Sequence, residues 1–343
     1  MTKPGTFKRK SVLLAAESLV RESLLIPGAT LPVLVQPAIE GLSLVGWAKS
    51  NRERIDQLLL STGALLFRGF NALTVPEFEE FMQLICGELL DYSYRSTPRT
   101  QVSGRIYTST EYPAHQTIPL HNEMSYTRRW PMRLGFFCVM PPAEGGETPI
   151  ADSRQVLNKI ETAIRDRFSR EQVSYVRNYG EALDLPWQEV FQTSAREEVE
   201  QFCRQSGIDF EWRADDQLRT TQVCQAVASH PVTGEAVWFN QAHLFHVSSL
   251  RSEIRDSLLA ASADEPPRNA YYGDGSVIPD NDLDQIRAAY DDATVVFSWE
   301  KGDVLLVDNM LVAHGRKPFR GERRIVVGMG QPFGPEAGAN DPS

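Results

Sequence analysis

Apolar positions along the chain fall into two kinds of segment. Recurrence at three- and four-residue spacing predicts helices near 6–24, 51–61, 75–89, 153–168, 195–206, 248–262 and 281–291. In one of these, Thr74 is a natural N-cap, Pro76 sits in the first turn, and Phe78, Phe81, Met82 and Ile85 share a face. Between the helices lie short runs of β-branched and aromatic residues, at 64–67, 134–139, 173–176, 236–239, 294–298, 304–307 and 324–327, which predict strands. The runs 294–298 and 304–307 flank the turn-forming Glu300–Asp303 and predict a hairpin. Many short strands separated by turns predict a mainly β or α+β jelly-roll barrel with helices packed around it.

No internal repeat, linker or low-complexity segment divides the chain, so a single domain over 1–343 is expected. Residues 1–50 would decorate it as helix or extended chain, 60–330 would form its core, and 331–343 would be a tail. Hydrophobic residues make up 42% and charged residues 23% of the 343, which is ordinary globular composition and enough for a large core without staples. The net charge of −10, with Lys and Arg scattered, argues against a nucleic-acid partner. Cys86, Cys138, Cys203 and Cys224 form no C-x-x-C pair and read as reduced thiols. No apolar run reaches the ~18 residues that span a bilayer. The short stretch Val12–Ala16 is followed by Glu17, Arg21 and Glu22, which suits an amphipathic surface helix better than a signal segment. The expected location is therefore the cytoplasm, with no membrane partner.

Six histidines are available, and His121 is the informative one, because Glu123 follows it by two. On extended chain, residues i and i+2 point the same way, so an imidazole and a carboxylate would enter one space. A surface pair is the bland alternative. A second imidazole from a distant strand would complete a two-His, one-carboxylate set, which leaves open positions on ferrous iron. His314, after the apolar run 304–307 and the turn-like Asp308 and Asn309, is so placed, although a hydrogen-bonded structural histidine would look the same. Soon after it, Arg323 and Arg324 open a strand. One must face inward, with Arg323 read as the solvated strand end, and an inward arginine near a metal needs an anion, for which a dicarboxylate is a natural bidentate partner.

Taken together, His121-Asn-Glu123, the segment 145–154 (GGETPIADSR) and the segment 308–324 (DNMLVAHGRKPFRGERR) resemble the taurine dioxygenase and clavaminate synthase superfamily over roughly residues 60–330. The resemblance implies a double-stranded β-helix fold and a dioxygenase using Fe(II), O2 and 2-oxoglutarate as co-substrate. It implies His121, Glu123 and His314 as metal ligands, and Thr148 and Arg324 as the clamp on the 2-oxoglutarate carboxylate. Glu123 stands where the more common family pattern has Asp, as in the clavaminate synthase branch, whose relatives act on amino acids. The position of the arginine that binds sulfonate in the taurine enzyme falls on Gly328, which argues against a sulfonate.

The reading that follows is hydroxylation of an aliphatic C–H of an amino acid, free or tethered to an aminoacyl carrier protein, in specialised metabolism. Catabolic oxygenation of a small carboxylate or sulfonate, and desaturation or cyclisation by the same iron chemistry, are alternatives. An inactive jelly-roll binding protein and a zinc hydrolase are more distant ones, and neither needs the Thr148–Arg324 clamp. A homo-oligomer is compatible with the sequence. Candidate substrate contacts are Arg95, Arg99, Tyr107, Ser109, Asn240 and Gln241. His243 and His246, lacking a neighbouring carboxylate, read as core residues rather than a second metal site.

Overall fold

Most of the β-branched and aromatic runs become strands, and their pairing places the core between and around sheets. The computed structural model describes residues 19–71, 73–91, 99–109, 112–179, 185–251, 255 and 266–334. In spatial order, the largest sheet comprises Val20–Leu24, Val33–Pro37, Ala64–Phe67, Val304–Asp308, Trp130–Met140, Arg324–Phe333, Ile106–Thr108 and Gln101–Ser103. Only Val33–Pro37 and Ala64–Phe67 in it run parallel. A four-stranded antiparallel sheet comprises Thr294–Val295, Ile150–Asp152, Val312–Arg316 and Ile118–His121. Another joins Asp209–Trp212, Leu218–Cys224, Val173–Tyr179 and Arg268–Tyr272.

The largest sheet is covered on both faces, which is why its strands read as unbroken apolar runs. Leu66, Leu134, Phe136, Leu305, Val307 and Ile325 pack in one core with Ile150 and Val312 of the smaller sheet. Their neighbours Leu65, Phe67, Phe137, Leu306 and Val326 face the other way, against Trp47, Ile55, Phe78, Phe81 and Met82. The last five lie on the helices Leu44–Thr62 and Val75–Cys86. The second helix carries the expected cap: Thr74 Oγ1 accepts from Glu77 N, and Glu77 Oε2 accepts from Thr74 N. It approaches closely because Gly135 and Gly328 pair across the sheet. A Cβ on Gly135 would lie 2.2 Å from Met82 Sδ.

Several expectations change. Residues 20–24 are a strand paired with Val33–Pro37, because pairing overrides their helical spacing, while residues 1–18 lie outside the described ones. The segment 153–168 is two helices, Ser153–Lys159 and Thr162–Glu171. Of 248–262, Val247–Ser249 is a short 3-10 turn and most of the rest lies outside the described residues. Thr294–Val295 and Val304–Asp308 do not form a hairpin. A turn exists at Glu300–Asp303, with Asp303 N donating to Glu300 O, but it carries the chain from one sheet to the other. The final strand extends to Phe333, opposite Trp130, so the expected tail begins inside a sheet. All four cysteines are buried and unbridged. Among the described residues, no helix is long and apolar enough to cross a membrane.

Candidate metal centre and anion cleft

The smaller sheet brings the two histidines together. His121 ends the strand Ile118–His121 and stands directly opposite His314, which lies within the strand Val312–Arg316 rather than just past a strand end. Paired cross-strand residues share a face, and the ring centroids are 4.6 Å apart. Gly315 permits the strands to close, since a Cβ there would lie 2.6 Å from Ile118 O. Glu123 follows on the next turn of chain, and its Oε2 is 3.9 Å from His314 Nε2. One ligand atom from each of His121, Glu123 and His314 falls within 4.8 Å of the others. No other such cluster of His, Cys, Asp and Glu is found among the described residues.

The state of these donors suits a divalent cation. His121 Nδ1 is 2.8 Å from Pro119 O, so Nδ1 carries the proton and Nε2 keeps its lone pair. Burial pushes the His121 pKa below its ordinary value and that of His314 well below, with the neighbouring His121 ring adding to the effect at His314. Both rings are therefore neutral ligands at neutral pH. Glu123 is 4% exposed, and its Oε2 accepts from Arg99 Nη2 at 2.7 Å.

A residue the sequence offered only as half of a turn holds this geometry. Asn309 Oδ1 accepts from Glu123 N at 2.7 Å, and Asn309 Nδ2 donates to Glu123 O and to Pro131 O, each at 2.9 Å. Asn122 Nδ2 donates back to Asn309 O at 2.7 Å. The turn that leads into the His314 strand is thus bonded to the main chain carrying His121 and Glu123. Gln241 Nε2 donates to Asn122 O, and Asn240 donates to Ala226 O and accepts from Ala242 N. These two buried amides are spent on main chain and do not line the cleft, which corrects their assignment as substrate contacts. His243 bonds to Leu120 O, and the His246 ring to Ser248. Both are structural. Tyr107 is buried in the inner core with its hydroxyl 3.5 Å from Asp91. Arg95 lies outside the described residues.

A cleft opens beside His121 and His314, walled by Ile118 and Phe136 and lined further by Arg99, Thr148, Arg316 and Arg323. Thr148 is buried and its Oγ1 accepts from Trp299 Nε1 at 3.0 Å, which leaves the hydroxyl proton to donate. The guanidinium in this wall belongs to Arg323. Arg324 is exposed and is not among the residues that line the cleft, so its expected place in the clamp is corrected. Ile325, Val327 and Met329 face the inner core and Val326 faces the helices, while the register shifts between Arg324 and Ile325 and Arg323 precedes the strand. Gly328 faces outward, toward Ile106 and Met82. The residue four beyond Arg323 is Val327, apolar and fully buried in the inner core.

Arg323 donates to Gly146 O and to Ser109 Oγ, both at 3.2 Å. Gly146, at φ 69°, lets it pass, since a Cβ there would sit 3.1 Å from Arg323 Cδ. Arg316 donates to the carbonyls of Tyr112, Pro113 and Gln116. Burial, then the neighbouring Arg316, pushes the Arg323 pKa down to about 10, and burial lowers that of Arg316. Both remain charged at neutral pH. Among the described residues neither makes an ion pair, and buried cations without counter-charge are costly unless an anion joins them. The expectation of a solvated strand end at Arg323 is overturned, since it lines the cleft, and no signal in the sequence placed it there. Arg316 had no such signal either.

The family model described as taurine catabolism dioxygenase TauD, TfdA family matches residues 29–329. The dapdiamide synthesis protein DdaC of Enterobacter agglomerans is 44% identical over 287 residues, 83% of this chain and 87% of that one. A clavaminate synthase-like protein of Arabidopsis thaliana is 30% identical over 319 residues, covering 88% and 91%. Among solved structures, PvcB of Pseudomonas aeruginosa superposes with TM-score 0.55 at 16% identity over 95% of this chain and 94% of its own.

Proposed function

The chain belongs to the taurine catabolism dioxygenase TauD, TfdA family, and from that premise we propose that it oxidises an aliphatic C–H of an amino acid in specialised metabolism. The observation that carries the cofactor reading is the pairing of a neutral two-His, one-carboxylate cluster with a cleft in which Arg316 and Arg323 lack a counter-charge among the described residues. His121, Glu123 and His314 would hold Fe(II). Thr148 and Arg323, with Arg316 beside them, would hold the remote carboxylate of 2-oxoglutarate. The two principal sheets would be the walls of a double-stranded β-helix, in one oxygenase domain. When bound, Fe(II), 2-oxoglutarate and O2 supply the oxidation, in which the keto acid becomes succinate and CO2 while a substrate C–H is oxidised.

The protein's own part is placement. Asn309 and Gln241 hold the ligand-bearing chain, neutral imidazoles present lone pairs, and Phe136 and Ile118 exclude water. A biosynthetic amino-acid substrate, free or tethered to a carrier protein, is supported by two likenesses. One is to a protein of dapdiamide synthesis, and the other is to PvcB, an oxygenase from an isonitrile synthetic pathway. Val327 offers no cation for a sulfonate. Desaturation or cyclisation would use the same residues.

The test is anaerobic Fe(II) titration with 2-oxoglutarate, watched for the weak visible charge-transfer absorption of a keto acid chelated to ferrous iron. The wild type should show it and His121→Ala should not. Amino acids are then screened by succinate release. Iron binding without that absorption would sink the 2-oxoglutarate reading, and a failed amino-acid panel the substrate reading alone.

A further inference from the structure

Arg99 is used by none of these roles, although it sits at the metal centre. It closely precedes the strand Gln101–Ser103, is 6% exposed, and donates from Nη2 to Glu123 Oε2 at 2.7 Å. Oε2 is also the oxygen that faces His314 Nε2, at 3.9 Å. One carboxylate oxygen is therefore addressed both by a guanidinium and by the space between the histidines.

A carboxylate can bind a cation through one oxygen or through both. The difference matters here, because three protein ligands on an octahedral ion leave three positions. A keto acid chelate takes two of them and O2 needs the third, so a two-oxygen glutamate would remove one. Asn309 pins the Glu123 main chain on both its N–H and its carbonyl. The freedom that remains lies in the side chain, which in glutamate has one torsion more than in aspartate. A charge-assisted hydrogen bond to one oxygen sets the plane of the carboxyl group.

We propose that Arg99 is a positioning residue that makes Glu123 a one-oxygen ligand, by holding Oε2 and turning Oε1 away from the metal. The bond also balances a buried carboxylate before the metal arrives, since a lone buried charge would cost stability. The proposal rests on the dioxygenase reading above.

The experiment uses Mn(II) with the full chain, as wild type, Arg99→Gln and Arg99→Lys. Exchangeable waters on the bound ion are counted by magnetic resonance, and affinity for N-oxalylglycine, an unreactive keto-acid mimic, is measured on the loaded proteins. Arg99→Gln should hold Mn(II) with one water fewer than wild type and bind N-oxalylglycine ~10-fold more weakly. Arg99→Lys, which restores the charge that Gln lacks, should recover the water. Equal water counts in all three proteins would overturn the proposal. So would loss of Mn(II) binding together with a lowered Tm in both variants, which would make Arg99 a plain structural ion pair. Failure of the wild type to bind N-oxalylglycine in a Mn(II)-dependent way would overturn the dioxygenase reading instead, whatever the variants do.

Discussion

Adjacent arginines at 323 and 324 have opposite fates, and that contrast is the most direct test of the anion cleft. Arg323 lines it beside Thr148, whereas Arg324 is exposed and does not line it. A hydrogen bond to a charged group contributes roughly 1.5–3 kcal/mol, or about 10- to 100-fold in affinity. Arg323→Gln should weaken 2-oxoglutarate binding by about that factor, while Arg324→Gln should change it by less than ~2-fold. Direct titration of both variants decides the matter, and the reverse order would restore Arg324 to the clamp. Asn309 is the second test. Asn309→Ala would strip the partners from Glu123 N and O in a buried site. Metal affinity should fall ~10- to 100-fold, read by Mn(II) titration, with a parallel loss of Tm.

At the scale of elements, the approach of the helix Val75–Cys86 to the largest sheet depends on paired glycines. Gly135→Ala would place a methyl 2.2 Å from Met82 Sδ, in a core where Met82 is fully buried. Overpacking of this kind costs ~1–3 kcal/mol. Urea melts should show the loss, and adding Met82→Ala should recover part of it, because the two sites share one space. Simple additivity of the two losses would mean that the strain lies elsewhere. The same glycine pair faces the helix rather than the cleft, so the variant should leave Mn(II) affinity within ~2-fold.

For the whole molecule, buried histidines set the acid limit. His243 is 3% exposed, donates Nε2–H to Leu120 O, and is held neutral by burial, with its pKa lowered to about 3. In the unfolded chain it would titrate near ~6.5. Below that pH the unfolded state binds the extra proton, so the contribution is fully present above ~6.5 and is lost as pH falls toward the folded value. This ring alone should remove about 2 kcal/mol between pH 7 and pH 5. Melts in chelator, which keeps metal binding out of the comparison, should show a shallower pH dependence for His243→Gln, which keeps a donor without a titrating group. Metal should add stability in proportion to the logarithm of its concentration, an increment that His121→Ala abolishes.

Local chemistry determined a good part of this protein. Spacing and caps marked the helix at 75–86, and apolar runs marked the strands at 64–67, 134–139 and 304–307, because both signals depend on near neighbours in the chain. The i, i+2 relation of His121 and Glu123 and the ordered motifs around Thr148 and His314 pointed to iron chemistry for the same reason. Only the tertiary structure decided what depends on partners far along the chain. It assigned 294–295 and 304–308 to different sheets, made strand of 20–24, and placed Arg323 rather than Arg324 in the cleft wall. It also turned Asn240 and Gln241 from substrate contacts into main-chain anchors. Asn309 and Arg99 became supports of Glu123 only when residues 186 and 24 positions away were brought within hydrogen-bond distance. A hydrogen bond is satisfied in space, and sequence distance carries no record of it.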